Sequence, residues 1–441
     1  MKENYDNKKE IIRSLSALFG DVSKPLRASL IGPKIEKILS KYYDNISNEQ
    51  IAQSLITQFG SEALLAKNKI FEKIVYGLDE NELNKLAQYL NTPNAGGEIY
   101  DNVVEVISKK YEEFLRYYKQ SDYFKIKKEK DSRVVSEEIE LEYEQKLISL
   151  GYPHPYQNLV KLELEERIRK SSGKYRALVV MPTGSGKTRT AVEFMIDFIR
   201  SRKKSNILWI VESPNLSEQS LQTFKSLWQL RGDRLIKVHR CFSKFVPQIN
   251  FSTCTNIIFG AFDKMKGLQN NNDDFFNSLK ESTDLMIIDE AHFSLAETYE
   301  EVISDIERNS PDIKKIGLTA TPMRSGDTEF YNLKDYFDAN LIDFKDEDDN
   351  IINDPLKFLQ KKHYLADLGV EYLSIPEEDI LEDSKEFNDK VIERIQNSLK
   401  EHKQIIIFAM SKDHAVALNI LLQAKDIKSE CIIGDTSAAD R

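Results

Sequence analysis

Short apolar runs after Gly151 constrain the fold of this chain more than any other feature. Each run is four or five residues long, and several are followed by a stretch with helical periodicity. The runs are Ala177–Met181, Ile207–Val211, Asn256–Gly260, Leu285–Ile288 and Ile405–Ala409. Strands that are apolar on both faces and alternate with helices are typical of a parallel sheet covered on both sides. The sequence therefore predicts an α/β fold.

The pattern divides the chain into four segments. Residues 1–145 repeat apolar side chains at spacings of three and four, which predicts an all-α accessory domain. Residues 146–342 carry the first four apolar runs and predict an α/β domain. Residues 343–388 are acidic and irregular, which indicates an inter-domain segment. Residues 389–441 begin a further β-α-β unit, and we predict the incomplete start of a second α/β domain there.

The charge balance excludes a uniformly basic nucleic-acid coat protein. The chain has 62 Lys and Arg against 72 Asp and Glu, and its net charge is −10. The charges are unevenly distributed, since residues 151–250 hold 18 basic and 8 acidic side chains, while residues 341–400 hold 8 and 16. A local track for nucleic acid is therefore compatible with the acidic total.

Cysteine usage and hydropathy indicate a cytoplasmic location. The three cysteines are widely spaced and form no CxxC pair, which excludes a disulfide framework and a zinc ribbon. The first residues contain no apolar signal segment, and no apolar run approaches the roughly 20 residues of a membrane helix. We expect a soluble protein without membrane contact.

A Gly-rich loop, Met-Pro-Thr-Gly-Ser-Gly-Lys-Thr, lies between the first apolar run and a helical stretch. Small residues let backbone N–H groups curl around a phosphate at a helix N-terminus, where the helix dipole favours an anion. The lysine of such a loop reaches the β- and γ-phosphates, and the following hydroxyl can bind Mg²⁺. The predicted nucleotide-binding residues of the loop are Thr183, Gly184, Ser185, Gly186, Lys187 and Thr188.

One position departs from the usual phosphate-loop pattern, because Met181 stands where a glycine is expected. The alternative interpretation is a Gly-rich turn between strand and helix that binds nothing. Placement directly after a buried strand favours the nucleotide interpretation.

An acidic pair, Asp289 and Glu290, follows the apolar run Leu285–Ile288. Carboxylates at the C-terminal end of a parallel strand face the crevice where ligands bind. We predict that Asp289 holds Mg²⁺ together with Thr188, and that Glu290 orients and deprotonates the attacking water. Lys187, Asp289 and Glu290 form the predicted catalytic set. On its own, such a pair is commonly a solvated strand end.

Two threonines, Thr319 and Thr321, follow the short strand predicted at residues 315–318. Hydroxyls beside a nucleotide site can hydrogen-bond to catalytic carboxylates and relay the state of the phosphate. The alternative is a plain transition from strand to turn, with Pro322 as the stop signal.

Over residues 150–441 these motifs, taken in order, resemble the superfamily 2 helicases of the DEAD/DEAH type, in the type III restriction enzyme Res subunit branch. The Gly-rich loop resembles motif I, Asp289–His292 resembles motif II, and Thr319–Thr321 resembles motif III. Pro155-Tyr-Gln157 resembles the upstream Q motif, and Val211–Gln219 resembles motif Ia.

The resemblance implies two RecA-like domains that bind ATP and Mg²⁺ and follow a nucleic-acid strand, the second domain being truncated. It implies that Gln157 reads the adenine edge and that His292, Thr319 and Thr321 couple the ATP site to a neighbouring domain. The nucleic-acid contacts implied at strand ends in motifs Ia and Ib are Ser213, Pro214, Asn215, Gly260 and Ala261.

The implied activity is an ATP-dependent helicase or translocase, with DNA favoured over RNA. Restriction or defence against foreign DNA would be its setting, and a nuclease or methyltransferase subunit a possible partner. The family's motifs V and VI, which include an arginine finger, do not follow before Arg441, so we expect weak turnover from this chain alone. Two alternatives stay open: a non-catalytic, ATP-gated clamp that binds nucleic acid or a partner, and an RNA helicase.

Overall fold

A computed structural model describes most of the chain. It covers residues 12–13, 15–16, 19, 24–59, 70–76, 78, 80–92, 99–110, 113–114, 133–139, 141, 152–320, 328–346, 348, 350–367, 369–377 and 380–434. The chain divides into two compact units. Unit A is formed by Met1–Asp131 together with Val370–Arg441, and unit B by Ser132–Gly369.

Helices and strands alternate through unit B, whereas the named elements of unit A are helices. In chain order the helices are α1 Lys24–Ile31, α2 Pro33–Leu39, α3 Asn48–Phe59, α4 Ile70–Tyr76, α5 Glu80–Tyr89, α6 Ile99–Lys109, α7 Pro155–Lys170, α8 Lys187–Arg200, α9 Pro214–Arg231, α10 Phe262–Asn270, α11 Asp274–Ser282, α12 Glu297–Asn309, α13 Thr328–Tyr336, α14 Pro355–Lys361, α15 Lys385–Ser398 and α16 Lys412–Ala424. The strands are β1 Ser136–Ile139, β2 Tyr175–Val180, β3 Asn206–Val211, β4 Ile236–Cys241, β5 Asn256–Ala261, β6 Leu285–Ile288, β7 Lys314–Thr319 and β8 Leu341–Ile342.

The strands of unit B form one sheet in the order β1-β4-β5-β3-β6-β7-β2-β8. All neighbouring strands are parallel except β1, which pairs antiparallel with β4. Because β6 and β7 lie between β3 and β2, the C-terminal ends of these four strands meet at one edge of the sheet. This edge carries the predicted site residues.

Helices cover both faces of the sheet. Val160 of α7, Phe194 of α8 and Phe224 of α9 are buried in the core on one face. Met265 of α10 and Ile303 of α12 are buried in the core on the other. The predicted α/β fold with a parallel sheet covered on both sides is confirmed.

Unit A has a core of its own, in which the N-terminal helices pack around α16. Ile420 and Leu421 of α16 share this core with Leu39 of α2 and Leu55 of α3. Gln53 Nε2 donates a hydrogen bond to Gln423 Oε1 over 2.6 Å. The described residues within 24–110 and 380–434 therefore build one core, although the two segments are distant in sequence.

Two local predictions differ from the structure. Residues 136–139, which the sequence assigned to the helical domain, form the edge strand β1. They do so because they pair with β4, whose polar side chains are buried. The run Ile405–Ala409, predicted as a strand, pairs with no strand of the described residues, and Phe408 is 94% exposed. The structure divides unit B from unit A at residues 131/132 and 369/370. The functional domains that we predict from the sequence, with boundaries at residues 145, 342 and 388, stay predictions.

In the described part of the chain, none of the helices combines the length and apolar character that a membrane crossing requires.

Candidate nucleotide site

The Gly-rich loop joins β2 to α8 at the edge where the strands end. Gly184 and Gly186 have φ values of 80° and 81°, a left-handed conformation that side chains disfavour. The Met181 N–H donates to Thr319 O over 3.0 Å, which fixes the start of the loop to the end of β7. Ser185 Oγ donates to Pro182 O over 2.6 Å and holds the turn closed. The loop therefore contains two left-handed glycines and a closed turn directly before the N-terminus of α8.

Two side chains at the start of α8 meet the acidic pair at the end of β6. Lys187 Nζ lies 2.9 Å from Glu290 Oε1, in a pair whose side chains are 10% and 34% exposed. Thr188 Oγ1 donates a longer hydrogen bond, of 3.4 Å, to Asp289 Oδ2. The structure thus brings together the four residues that the sequence assigned to catalysis and metal binding.

The backbone after β6 presents the two carboxylates differently. The Asp289 N–H donates to Ile210 O over 3.0 Å, which continues the β3–β6 ladder. Glu290 has φ 52° and ψ 54° and leads into a 3-10 helix at Ala291–Leu295. This left-handed residue turns the chain, and both carboxylates are half-buried at this point, with Glu290 reaching toward Lys187. Burial raises the pKa of Asp289, and the charge of Lys187 only partly opposes this effect.

The residues at this point fit Mg²⁺ bound together with a phosphate. In proteins Mg²⁺ commonly takes one or two carboxylates, completed by phosphate oxygens and water. Asp289 supplies a desolvated carboxylate, and the Thr188 hydroxyl lies beside it. In the described residues, no cluster of three or more His, Cys, Asp or Glu side chains could hold a metal ion without such help.

Gln157 lies against the loop, where both ends of its amide are engaged. Its Oε1 accepts from the His154 N–H over 2.9 Å, and its Nε2 donates to Ser185 O over 2.8 Å. Tyr156 OH donates to the same carbonyl, also over 2.8 Å. The Gln157 side chain is itself buried at this point. Reading of an adenine edge by Gln157 stays a prediction.

The predicted coupling residues have different surroundings. His292 Nδ1 lies 3.5 Å from Glu290 Oε2, and the His292 side chain is 43% exposed. Thr319 is buried at the end of β7. Thr321 lies outside the described residues. Thr183, a predicted nucleotide-binding residue, lies within the Gly-rich loop. The coupling roles of His292, Thr319 and Thr321 stay predictions.

The predicted nucleic-acid contacts lie just after β3 and at the end of the adjacent strand β5. Pro214 and Asn215 are exposed at the start of α9, and Ser213 caps that helix by accepting from the Leu216 N–H. Gly260 and Ala261 are buried instead. The structure presents the first group to solvent and encloses the second within the domain.

The sequence did not predict that Tyr156 and the segment after β8 pack against the Gly-rich loop. The ring of Tyr156 lies 5.3 Å from that of Tyr364 and 5.2 Å from that of Phe344. A Cβ placed on Gly184 would come within 3.2 Å of Leu365 Cδ2. The position of Tyr156 beside Gln157 was one signal of this arrangement.

Fold and site together define the class of unit B. Its class is that of an α/β domain with a mostly parallel sheet, a Gly-rich loop after β2 and an acidic pair after β6. Residues 151–324 match the family described as "Type III restriction enzyme, res subunit". This match confirms the predicted resemblance to superfamily 2 helicases of the Res-like branch.

Two curated relatives are endonuclease subunits of type I restriction enzymes. The EcoKI subunit of Escherichia coli strain K12 is 37% identical over 78 residues, which are 18% of this chain and 6% of that protein. The EcoAI subunit of Escherichia coli is 30% identical over 167 residues, which are 38% of this chain and 19% of that protein. The matches thus span less than a fifth of either relative.

A similar solved structure is the helicase domain of Hef from Pyrococcus furiosus. The comparison gives 15% identity and a TM-score of 0.37, and it covers 62% of this chain and 53% of that chain.

Proposed function

We propose that unit B binds ATP with Mg²⁺ and couples ATP hydrolysis to movement along nucleic acid, with DNA favoured over RNA. The observation that carries this proposal is the contact between Lys187 and Glu290, whose side chains come from loops after β2 and β6 and meet at 2.9 Å. A lysine and a carboxylate at these two strand ends are the groups that phosphoryl transfer to water requires.

The pair also indicates how the site responds to nucleotide. A phosphate in the loop competes with Glu290 for Lys187, because a dianionic phosphate offers the ammonium group more charge than one carboxylate does. Once Lys187 turns to the phosphate, Glu290 is released to accept a proton from water. Asp289 and Thr188 would hold Mg²⁺, which when bound would neutralise part of the phosphate charge.

The biological setting that we propose is restriction or a related defence against foreign DNA. It rests on the Res family match and on the names of the two type I restriction relatives. A nuclease or methyltransferase subunit is the partner that we propose for such a role. Stimulation of ATP turnover by duplex DNA, compared with single-stranded RNA, tests the choice of nucleic acid.

Replacing Lys187 tests the nucleotide site. Lys187→Ala removes a charge-assisted contact worth about 1.5–3 kcal/mol, so the Kd for ATP should rise by roughly 10- to 100-fold. Fluorescent-nucleotide titration measures this change. Lys203→Ala is the matched control, since Lys203 is exposed at the opposite edge of the sheet and should leave the Kd unchanged. An unchanged affinity in Lys187→Ala would contradict the site assignment.

Replacing Glu290 separates binding from hydrolysis. Glu290→Gln removes the competitor for Lys187, so ATP should bind several-fold more tightly than to the wild type. Turnover should fall by roughly 10²- to 10⁴-fold, because the general base is lost. Equal turnover in single-turnover assays would refute the role of Glu290 as base, and weaker ATP binding would refute the competition.

A further inference from the structure

The edge strand β1 pairs with β4 in an antiparallel ladder, and polar side chains add further contacts between the two strands. Its partner β4 presents His239 and Arg240, which are both buried. His239 Nδ1 lies 2.7 Å from Ser136 Oγ, and the Arg240 N–H donates to Val135 O over 2.8 Å. Ile139 is the apolar residue of β1 that is fully buried. A small set of polar side-chain contacts therefore supplements the backbone ladder of β1.

Arg240 is the centre of these contacts. Its guanidinium group is 3% exposed and holds Glu218 of α9 in a bidentate pair, with distances of 2.8 and 2.9 Å. Nη1 donates to Glu137 Oε1 over 2.7 Å and to Val134 O over 2.9 Å. Four of the five N–H donors of an arginine are thus used. One buried side chain joins β1, β4 and α9.

The carboxylates around Arg240 are charged at neutral pH. Burial raises the pKa of Glu218, but hydrogen bonds from Arg240 and Gln222 bring it below the usual value. Burial acts in the same direction on Glu137, where hydrogen bonds from Lys225 and Arg240 outweigh it. Lys225 belongs to α9, so Glu137 is paired with both β4 and α9.

The same turn of α9 is fixed a second time by the neighbouring residue. Ser217 Oγ donates to Gly260 O over 2.9 Å, at the end of β5. Ser217 and Glu218 follow Pro214 and Asn215, the exposed residues at the start of the helix, by about one turn. The orientation of these exposed residues is therefore set by two anchors, one on β5 and one on Arg240.

We propose that Arg240, with Glu137 and Glu218, is a positioning group for nucleic-acid binding: it holds the first turns of α9 in register, so that the attachment of β1 sets the affinity for a phosphate backbone. This inference rests on the proposed function, because it assumes that the start of α9 contacts nucleic acid. Arg240 itself is buried and touches no ligand.

The sign of the effect separates positioning from simple electrostatics. Glu137 and Glu218 are negative, so their removal on charge grounds alone strengthens binding to a polyanion. Loss of positioning has the opposite result, because misplaced N–H groups and side chains lose phosphate contacts. Weaker binding after removal of a carboxylate is thus the signature of a positioning role.

The experiment compares three variants of the full chain by titration of a short duplex DNA over a range of salt concentrations. Glu137→Ala and Glu218→Ala should weaken binding by about three- to tenfold and lower the salt slope by about one phosphate contact. Glu218→Gln, which keeps an acceptor, should recover part of the loss. The control is Glu138→Ala, because Glu138 pairs only at the surface, 3.5 Å from Lys237. ATP affinity should be unchanged in all of them.

Hydrogen exchange at residues 216–220 gives a second measure, and it should be faster in Glu137→Ala if the turn is released. Unchanged or tighter DNA binding in Glu137→Ala and Glu218→Ala overturns the inference. Asn215→Asp, which places a negative charge at the exposed start of α9, tests the assumption beneath it. If Asn215→Asp weakens binding while the two glutamate variants do not, the proposed function stands and the inference fails. If Asn215→Asp binds DNA as the wild type does, the placement of DNA at α9 fails, and the inference fails with it.

Discussion

At the scale of single residues, the Gln157 side chain lies so close to the Gly-rich loop that no side chain fits between them. Gly186 is left-handed, and a Cβ built on it would collide with Gln157 Nε2. Gln157 in turn uses its amide to hold Ser185 O and the backbone of His154. The missing side chain of Gly186 is therefore what allows the first turn of α7 to lie against the loop.

Substitution of Gly186 should consequently affect both stability and nucleotide binding. Gly186→Ala forces a non-glycine residue into the left-handed region, which costs about 1–2 kcal/mol, and it displaces Gln157. We expect a lower free energy of unfolding in urea and at least a several-fold higher Kd for ATP.

The same substitution elsewhere provides the control. Gly267 lies inside α10, and a Cβ there meets nothing within 4 Å. Gly267→Ala should stabilise unit B by about 0.5–1 kcal/mol through helix propensity, with ATP binding unchanged. If Gly186→Ala matched Gly267→Ala in both measurements, the proposed packing against Gln157 would be disproved.

Much of the candidate site could be predicted from the sequence, because its residues occur in short motifs directly after apolar strands. Lys187, Thr188, Asp289 and Glu290 are of this kind, and the parallel sheet brings them together. The role of Tyr156 and the left-handed conformation of Glu290 could not be predicted. Both depend on contacts between segments far apart in the chain, and no local pattern records such contacts.

At the scale of elements, the sequence predicted β2, β3, β5 and β6 because their apolar side chains are buried on both faces of the sheet. β4 was missed, since Lys237, His239 and Arg240 interrupt its apolar character. β1 was missed for the complementary reason, because Glu137 and Ser136 are the polar partners of that strand. Buried polar pairs hide a strand from a hydropathy pattern, although they hold it in the sheet.

The helix α16 allows a prediction at this scale. Ile420 is fully buried against the N-terminal helices, so Ile420→Ala should destabilise unit A by about 2–5 kcal/mol. In hydrogen exchange followed by mass spectrometry, the amides of α2 and α3 should lose protection, while those of β3 and β6 in unit B keep it.

The control uses the same chemical change at a solvent-facing site. Ile406 is 83% exposed, and Ile406→Ala should change stability by less than about 0.5 kcal/mol. Loss of protection throughout both units in Ile420→Ala would contradict the division of the chain into two units, and retention of protection in α2 and α3 would contradict the role of α16.

At the scale of the whole molecule, the two units differ in how they are encoded. Unit B is one continuous stretch, Ser132–Gly369, whereas unit A combines the segments before and after it. The sequence predicted an N-terminal helical region and a separate later segment, but their common core could not be predicted. The sequence pattern predicts which face of a helix is apolar, but it does not predict which other helix packs against that face.

Removing the later segment should therefore affect the earlier one. A chain that ends at Gly369 should retain ATP binding and a protected sheet in unit B. Its helices α2 and α3 should lose protection and bind a hydrophobic dye, because Ile420 and Leu421 no longer cover them. Native-like protection of α2 and α3 in the shortened chain would show that α16 is dispensable for unit A.

The discontinuity of unit A has a consequence for synthesis. The N-terminal helices leave the ribosome first, yet the helix that completes their core is translated only after the whole of unit B. At ordinary elongation rates this interval is on the order of tens of seconds, which is long compared with helix formation and collapse. During that time the apolar faces of α2 and α3 are a surface that a chaperone can recognise. Unit B can therefore fold before the core of unit A is complete.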